Sequence, residues 1–264
     1  MNYRRLGKTG LKVSELSYGS WVTFSFQVDV NEATNIMKLA YDKGINFFDN
    51  AEAYASGESE IIMGESLKKL GWSRDSFIIS SKVGRILKPG AVKIPSNYGM
   101  VDPLPFYPIY DYSYDGIMRS FEDGLQRLGL DHIDILLVHD IGEFQHGEEN
   151  QRHFKDLSET GYKAMDELRN NNVVKAIGLG VNENKVCLDA LEIGNWDVFL
   201  LAGRYTLLEQ TPLDSLFPKC KNAGTSIICG GPFNSGVLVG REMWNYANAP
   251  KDVVNKVKSL KKIA

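Results

Sequence analysis

Four polar residues follow three successive apolar segments of the sequence. Asp49 comes near the end of INFFDN with Tyr54 shortly after it, Lys82 ends FIISSK, and His139 comes near the end of IDILLVHD. A phenol, an ammonium, a carboxylate and an imidazole can together move a proton to or from a carbonyl or alcohol oxygen, and such a transfer can be coupled to hydride transfer at a nicotinamide. The set therefore predicts redox chemistry at a carbon that bears oxygen.

Each of the four residue types suits one role in that chemistry. Tyr54 is the natural acid or base, but a free phenol has a pKa of about 10 and needs a nearby cation to ionise near neutral pH. We expect Lys82 to supply that charge, Asp49 to hold the ammonium by a charge-assisted hydrogen bond, and His139 to orient the substrate oxygen. Singly, such residues more often cap a helix or lie on the surface. Jointly they favour a site.

The segments that carry these residues resemble buried parallel strands. Short apolar runs that are continuous rather than alternating are typical of strands covered on both faces. Six such runs are present, INFFDN, FIISSK, IDILLVHD, VKAIGLGV, WDVFLLAG and TSIICGG, and ELSYGSW near Glu15 predicts an earlier strand. A hairpin that turns at Lys8, Thr9 and Gly10 is predicted before them.

Helical patterns separate these strands. Apolar residues recur at helical spacing in three stretches, namely Ala33, Met37 and Ala40; Met63, Leu67 and Leu70; and Ile117, Phe121, Leu125 and Leu128. Gly44, Gly194 and Gly224 predict helix ends, and Thr211 with Pro212 predicts an N-cap and a first helical residue.

The alternation predicts an α/β fold of the (β/α)8 TIM-barrel type with an N-terminal β-hairpin, as one domain over residues 1–264. After the seventh strand the sequence offers only a loop rich in Asn and Gly and a helix from Pro250, so we expect the eighth β/α unit to be lacking. Such a barrel would have two unpaired strand edges.

Composition restricts the function classes. The chain has 264 residues and a net charge of −3, so it lacks the basic excess that nucleic acid or an anionic membrane demands. We expect a small-molecule substrate, a cytoplasmic location and no nucleic-acid or membrane partner, while the oligomeric state is left open. The three cysteines, Cys187, Cys220 and Cys229, match no zinc or redox pair.

Other residues allow further interpretations. His139, Asp140, Glu143 and His146 could ligate a divalent metal, but their loose spacing and the acidic loop GEFQHGEEN favour redox chemistry, so no metal site is predicted. The glycines of CGGPFNSGVL permit close approach of a phosphate to the backbone. Asn182 and Glu183 follow the fifth predicted strand, where they could bind a carboxamide or cap the next helix.

The motifs LGKTGLKVSEL, FFDNAEAYASGESE, SSK and LLVHD resemble the aldo-keto reductase superfamily over almost the whole chain. The resemblance implies a catalytic tetrad and NADP or NAD as cofactor. The tetrad falls on Asp49, Tyr54, Lys82 and His139. The implied cofactor contacts are Asn182 and Glu183 near the nicotinamide carboxamide, Tyr205 near its ring, and Gly231, Phe233, Ser235 and Gly236 along the pyrophosphate. Many members carry Ser and Asn at 182 and 183 and Gln at Ala202, so carboxamide binding is expected to differ in detail.

Two branches of that superfamily are represented. Residues 1–82, with GSWVTFSFQ and KKLGWSRDSFIISSK, resemble the potassium-channel beta-subunit branch. Residues 83–240, with LLAGRYTLLEQ and GGPFNSGVL, are similar to sugar 1-dehydrogenases that act on D-threo-aldoses or L-fucose. The change near Lys82 suggests a chimeric history as a hypothesis.

The resemblance implies an NAD(P)-dependent oxidoreductase that oxidises an aldose at C1 to a lactone or reduces aldehydes in reverse. Superfamily members carry residues that bind the adenosine ribose and its phosphate on the eighth unit, so we expect weaker cofactor binding and no readable choice between NAD and NADP. The alternative is a catalytically idle barrel that acts as a nucleotide-binding or regulatory subunit.

Overall fold

The computed structural model describes residues 1–24, 29–90 and 103–263. Thirteen strands occur among them: β1 (Tyr3–Arg5), β2 (Lys12–Ser14), β3 (Tyr18–Gly19), β4 (Phe47–Asp49), β5 (Ile78–Val83), β6 (Arg85–Pro89), β7 (Phe106–Tyr110), β8 (Ile135–His139), β9 (Ala176–Val181), β10 (Val198–Ala202), β11 (Ser226–Gly230), β12 (Met243–Trp244) and β13 (Ala247–Asn248).

The helices of the same residues are α1 (Ser20–Phe24), α2 (Val30–Asp42), α3 (Glu58–Leu70), α4 (Tyr114–Leu128), α5 (Glu143–His146), α6 (Asn150–Asp156), α7 (Tyr162–Asn170), α8 (Asn184–Ile193), α9 (Leu216–Ala223) and α10 (Lys251–Leu260). Residues 25–27 of GSWVTFSFQ, one of the motifs on which the channel-subunit resemblance depends, lie outside the described residues.

Seven parallel strands form one sheet in the order β11-β10-β9-β8-β5-β4-β3. Neighbouring strands are successive strands of the predicted alternation, with helices between them, which is the arrangement of a TIM-barrel-type fold. The predicted fold class is confirmed. Within the described part of the chain β3 and β11 form the two edges of this sheet, and no eighth parallel strand joins them.

Three antiparallel hairpins lie outside the parallel sheet. β1 and β2 form the predicted N-terminal hairpin, with Tyr3 opposite Ser14. β6 and β7 pair with Arg85 opposite Tyr110, and β12 pairs with β13. The last two hairpins were not predicted from the sequence.

Local signals explain the ends of the main helices. Asp29 caps α2, because its carboxylate accepts hydrogen bonds from the backbone N–H groups of Asn31 and Glu32 at 2.7 and 2.9 Å. Ser113 caps α4 in the same way, and Gly129 ends that helix in the left-handed region at φ +61°.

The prediction for Thr211 and Pro212 is wrong in part. The two residues form a 3₁₀ turn, Thr211–Leu213, which Gln210 precedes. The α-helix itself begins later, at Leu216 after Ser215. A proline favours the start of either kind of helical turn, because its fixed φ suits both.

Two clusters of apolar side chains hold the sheet. The larger one lies between the sheet and its helices and includes Met37, Met63, Phe121 and Trp196. The smaller one lies on the other face, where Phe47, Ile135 and Val198 of the strands meet Leu6 and Val13 of the first hairpin. The hairpin therefore covers one end of the sheet interior. Among the described residues no helix is long and apolar enough to cross a membrane.

Candidate active site

Asp49, Lys82 and Tyr54 are joined by hydrogen bonds at the carboxyl ends of β4 and β5. The Lys82 ammonium donates to Asp49 Oδ2 at 3.0 Å and to the Tyr54 hydroxyl at 3.1 Å. It also donates to the backbone carbonyl of Asn50 at 2.7 Å. A lysine has three N–H donors, so these partners use all of them and fix the ammonium in place.

The residues around Lys82 exclude water from its side chain. The side chain is only 3% exposed, and Asp49 accepts a further hydrogen bond from the Ser80 hydroxyl at 2.6 Å. Gly180 on β9 leaves space for the lysine stem, because a Cβ at that position would lie 3.0 Å from Lys82 Cε. Gly180, the second glycine of the apolar run VKAIGLGV, therefore makes room for the lysine of the site.

Tyr54 begins a 3₁₀ turn in which two residues have unusual backbone angles. Ala55 and Ser56 lie in the left-handed region, at φ +49° and +56°, which costs energy for residues with a Cβ. The Tyr54 ring packs edge-on against Trp21 with ring centres 4.8 Å apart. Lys82 also lies over the ring, 4.8 Å from its centre.

The acidity of Tyr54 differs from the expectation. Burial raises the pKa of its phenol to about 12, although the ammonium of Lys82 lowers that pKa. The cation was expected to bring the pKa toward neutrality. It does not, because desolvation of the phenolate outweighs the attraction and the carboxylate of Asp49 adds repulsion. The hydroxyl is therefore a hydrogen-bond donor in this state of the protein.

His139 ends β8 beside Tyr54, with the two ring centres 5.9 Å apart. Its Nδ1 lies 2.8 Å from Glu52 Oε2, and its Nε2 lies 3.6 Å from Asp140 Oδ2. The histidine is 5% exposed and Glu52 is fully buried. The structure thus brings all four predicted residues to one place.

The structure adds residues that the sequence analysis did not assign to the redox site. Asp140 forms an ion pair with Arg85 and accepts from Asn182 Nδ2 at 3.0 Å. Its backbone is in the left-handed region at φ +46°. Tyr246 in turn donates to Asn182 Oδ1 at 2.9 Å. One signal was available for Arg85, since it stands three residues after Lys82.

The residues of the metal interpretation do not converge. His146 Nε2 lies 2.9 Å from the Tyr112 hydroxyl, and its ring lies 4.3 Å from that of His153. Burial lowers the pKa of His146 to about 4. Glu143 instead pairs with Lys185 on the surface. In the described ranges, no group of three or more His, Cys, Asp or Glu side chains is arranged to hold a metal ion.

The predicted cofactor residues lie in the loops after β9, β10 and β11. Asn182 and Ser235 are linked through Tyr246, whose backbone N–H donates to Ser235 Oγ at 2.9 Å. Glu183 precedes α8, and its carboxylate accepts from the backbone N–H of Phe144 at 3.2 Å. Tyr205 packs edge-on against Phe217 and is partly exposed.

The loop after β11 has several residues in the left-handed region of the backbone. Ser235 and Gly236 have positive φ angles of +59° and +95°, as do Asn234 at +49° and Gly231 at +54°. The N–H groups of Asn234 and Gly236 donate within the loop, to the backbone carbonyls of Gly231 at 2.8 Å and of Phe233 at 3.0 Å. Phe233 is 57% exposed beside them. The residues predicted to bind a dinucleotide thus lie in neighbouring loops after β9, β10 and β11.

A parallel β/α sheet that carries a phenol, an ammonium and an imidazole at its carboxyl edge defines the class of barrel oxidoreductases. The family model described as "Aldo/keto reductase family" matches residues 15–264. The chain therefore belongs to the aldo/keto reductase family, which generally uses NADP(H) or NAD(H).

Curated relatives include both branches predicted from the sequence. Pyridoxal 4-dehydrogenase of Microbacterium luteolum is 37% identical over 97% of this chain and 79% of its own length. D-threo-aldose 1-dehydrogenase of a Pseudomonas species is 31% identical over 94% and 76%. A probable voltage-gated potassium channel beta subunit of Arabidopsis thaliana is 32% identical over 100% and 79%. Each likeness extends over nearly the whole chain, so a junction near Lys82 stays a hypothesis.

A solved structure supports the fold. The holo form of an aldo-keto reductase from Bacillus halodurans superposes with a TM-score of 0.74 at 25% identity, covering 99% of this chain and 76% of that one.

Proposed function

We propose that the chain is an NAD(P)-dependent oxidoreductase that oxidises an aldose, of the D-threo-aldose or L-fucose kind, at C1 to a lactone and reduces aldehydes in reverse. One observation carries the proposal. The Lys82 ammonium lies 3.1 Å from the Tyr54 hydroxyl and 3.0 Å from Asp49, so a proton carrier, its cation and the anion that fixes the cation are in contact.

Tyr54 acts as general base in the oxidation. It takes the proton of the C1 hydroxyl while the C1–H bond breaks and a C1=O bond forms, and Lys82 stabilises the phenolate that is the active base. A bound oxidised nicotinamide supplies the acceptor for the hydride. In the reverse direction Tyr54 returns its proton to the carbonyl oxygen. His139 lies beside the phenol, where it can orient that oxygen.

The loops after β9 to β11 would hold the cofactor. Asn182 and Glu183 would contact the carboxamide and Tyr205 the nicotinamide ring. The backbone of Gly231, Phe233, Ser235 and Gly236 would contact the pyrophosphate. The place of this loop supports the assignment, because the loops after the last strands of a β/α barrel are where phosphate sites frequently form.

The relatives support a substrate that forms a ring. Two of them are named for dehydrogenation of pyridoxal and of D-threo-aldose. Pyridoxal and aldoses are both hydroxyaldehydes that close into cyclic hemiacetals, and oxidation at the hemiacetal carbon gives a lactone. We therefore extend the proposed substrates to hydroxyaldehydes of this kind.

The test is turnover by the purified protein with NAD or NADP and a panel of L-fucose, D-arabinose and pyridoxal, followed by nicotinamide absorbance. We expect Tyr54→Phe to lower kcat by about 100-fold to 10,000-fold while nucleotide binding is retained, because only the proton carrier is removed. Tyr114→Phe is the matched control, since the Tyr114 hydroxyl donates to Glu167 on the surface at 3.1 Å. Full turnover by Tyr54→Phe would refute the role.

The second candidate is a regulatory subunit that binds nucleotide without turnover. The likeness to a channel beta subunit over the whole chain favours it. Binding of NADPH, followed by quenching of tryptophan fluorescence, combined with no turnover of any sugar or aldehyde, would support this candidate. Turnover that Tyr54→Phe removes would exclude it.

A further inference from the structure

Glu52 is a fully buried carboxylate in the loop between β4 and Tyr54. Its Oε2 lies 2.8 Å from His139 Nδ1, whereas its Oε1 has no hydrogen-bond partner in the described parts of the chain. A buried carboxylate without a partner is costly, so one that persists in the core requires a compensating contact. The imidazole of His139 is that contact.

The charge of Glu52 is retained despite its burial. Burial alone would raise the pKa of this carboxyl, but the adjacent His139 ring and two nearby cations lower the pKa to about 2. The cations are Arg85 and Lys82. Glu52 is therefore an acceptor at neutral pH, and the atom that faces it must be a donor.

The contact of the other ring nitrogen of His139, Nε2, is longer. Asp140 Oδ2 is 3.6 Å from Nε2, which is too long for a direct hydrogen bond, and that oxygen is already engaged by Arg85. The Tyr112 hydroxyl donates to the backbone carbonyl of His139 at 2.8 Å and leaves the ring nitrogens untouched. Of the two contacts made by the ring nitrogens of His139, the one between Nδ1 and Glu52 is therefore the hydrogen bond.

We propose that Glu52 is a positioning residue that holds a hydrogen on His139 Nδ1 and so fixes the ring with Nε2 toward the reacting oxygen. The part that concerns the reacting oxygen rests on the proposed function. A carboxylate that fixes the orientation and the tautomer of a histidine is a general device of enzymes. Among the described residues the hydrogen bond of the Glu52 carboxylate is to the histidine, so its effect on turnover passes through the orientation of that ring.

The first measurement needs no turnover. In protein labelled with 15N at histidine, the resonances of His139 are identified by comparison with His139→Gln, which is practicable because the chain has only four histidines. We expect Nδ1 of His139 to carry hydrogen near neutral pH in the wild-type protein. In Glu52→Leu, which removes the acceptor, we expect that signature to change.

Kinetics give the second measurement. We expect Glu52→Leu to lower kcat by about 100-fold with little change in the KM for the nicotinamide cofactor, because a misplaced orienting group weakens the transition state. Glu52→Gln keeps an oxygen at the same place and should retain most of the activity. Glu60→Gln is the control, since Glu60 is also fully buried but pairs with Arg127 at 2.7 Å instead of with the tetrad.

Two results would overturn the proposal. One is a wild-type His139 whose only ring hydrogen is on Nε2, which can be read even if Glu52→Leu does not fold. The other is a folded Glu52→Leu protein with unchanged His139 resonances and unchanged kcat. Absence of turnover in every variant would refute the proposed function, whereas the spectra would still decide the role of Glu52.

Discussion

The Tyr54 hydroxyl is a weaker acid than a free phenol even though an ammonium donates to it. Burial raises its pKa to about 12, and Lys82 recovers only part of that increase. The protonated form therefore predominates at neutral pH. This suits an acid that gives its proton to a carbonyl, and it limits the base that an oxidation requires.

The high pKa of Tyr54 predicts different pH profiles for the two directions of the reaction. The phenolate fraction increases about tenfold per pH unit while the pH is below the pKa. We expect kcat/KM for oxidation to rise by roughly that factor per unit from about pH 7 to pH 9. Reduction, which uses the protonated phenol, should stay flat over the same range. Steady-state rates in both directions provide the measurement, and a flat oxidation profile would contradict the role of Tyr54 as base.

The sequence predicted the residues that stand at strand ends and missed those that contact them. Asp49, Lys82 and His139 could be found because the end of an apolar run marks the edge of a parallel sheet. Glu52 lies in a loop, where no periodicity shows which way a side chain points, and Arg85 begins β6, a strand that was not predicted. The pKa of Tyr54 could not be predicted from the sequence either, since desolvation of the phenol depends on how tightly the loop packs around it.

Helices α3 and α4 approach closely because of one glycine. A Cβ on Gly64 would lie 2.2 Å from the backbone oxygen of Leu128, whereas a Cβ on Gly124 would meet nothing closer than 3.6 Å. Both glycines are inside helices, where glycine is unfavourable. Only Gly64 is therefore required by packing.

The two glycines form a matched pair for a stability measurement. We expect Gly64→Ala to lower the free energy of unfolding by about 2 kcal/mol or more, because a backbone oxygen cannot move aside as a side chain can. Gly124→Ala should raise it by about 0.5–1 kcal/mol through the gain in helix propensity. Denaturant titration measures both. Equal effects of the two substitutions would show that the approach of the helices is not limiting.

The type of each element could be predicted more readily than the strand with which it pairs. The continuous apolar runs predicted β4, β5 and β8 to β11, because strands buried on both faces leave a strong signal. The pairing of β6 with β7 was not predicted, since half-exposed side chains alternate there without a turn motif that identifies a hairpin. Thr211 and Pro212 marked a helical turn but not the helix that follows.

The whole molecule contains a small core apart from the main one. Leu208, Val237 and Val257 form a separate buried cluster, which packs α10 against the loop that carries Ser235 and Gly236. Lys256 also donates to the backbone oxygen of Leu208 at 2.7 Å. Small clusters of this kind open at lower free energy than a main core.

Two Val→Ala substitutions distinguish the cores. Val138→Ala in the main core should lower the global free energy of unfolding by about 2 kcal/mol, from lost burial and a cavity. Val257→Ala should change that quantity by less than about 0.5 kcal/mol and instead speed amide hydrogen exchange in residues 233–239. Val138 is fully buried and Val257 is 5% exposed, so the truncations are comparable. An equal fall in global stability would indicate a single cooperative unit.

The first hairpin lies at the amino-terminal ends of the strands, opposite the site. The backbone N–H of Ser14 donates to the side-chain oxygen of Asn46 at 2.7 Å, just before β4, and Lys8 donates to the side-chain oxygen of Asn195, just before β10. Met1 is exposed. A tether fused to that residue would attach the protein to an electrode or bead with the carboxyl ends of the parallel strands, and so the site, facing the solution. Surface immobilisation through the N-terminus should therefore leave the approach of substrate unobstructed.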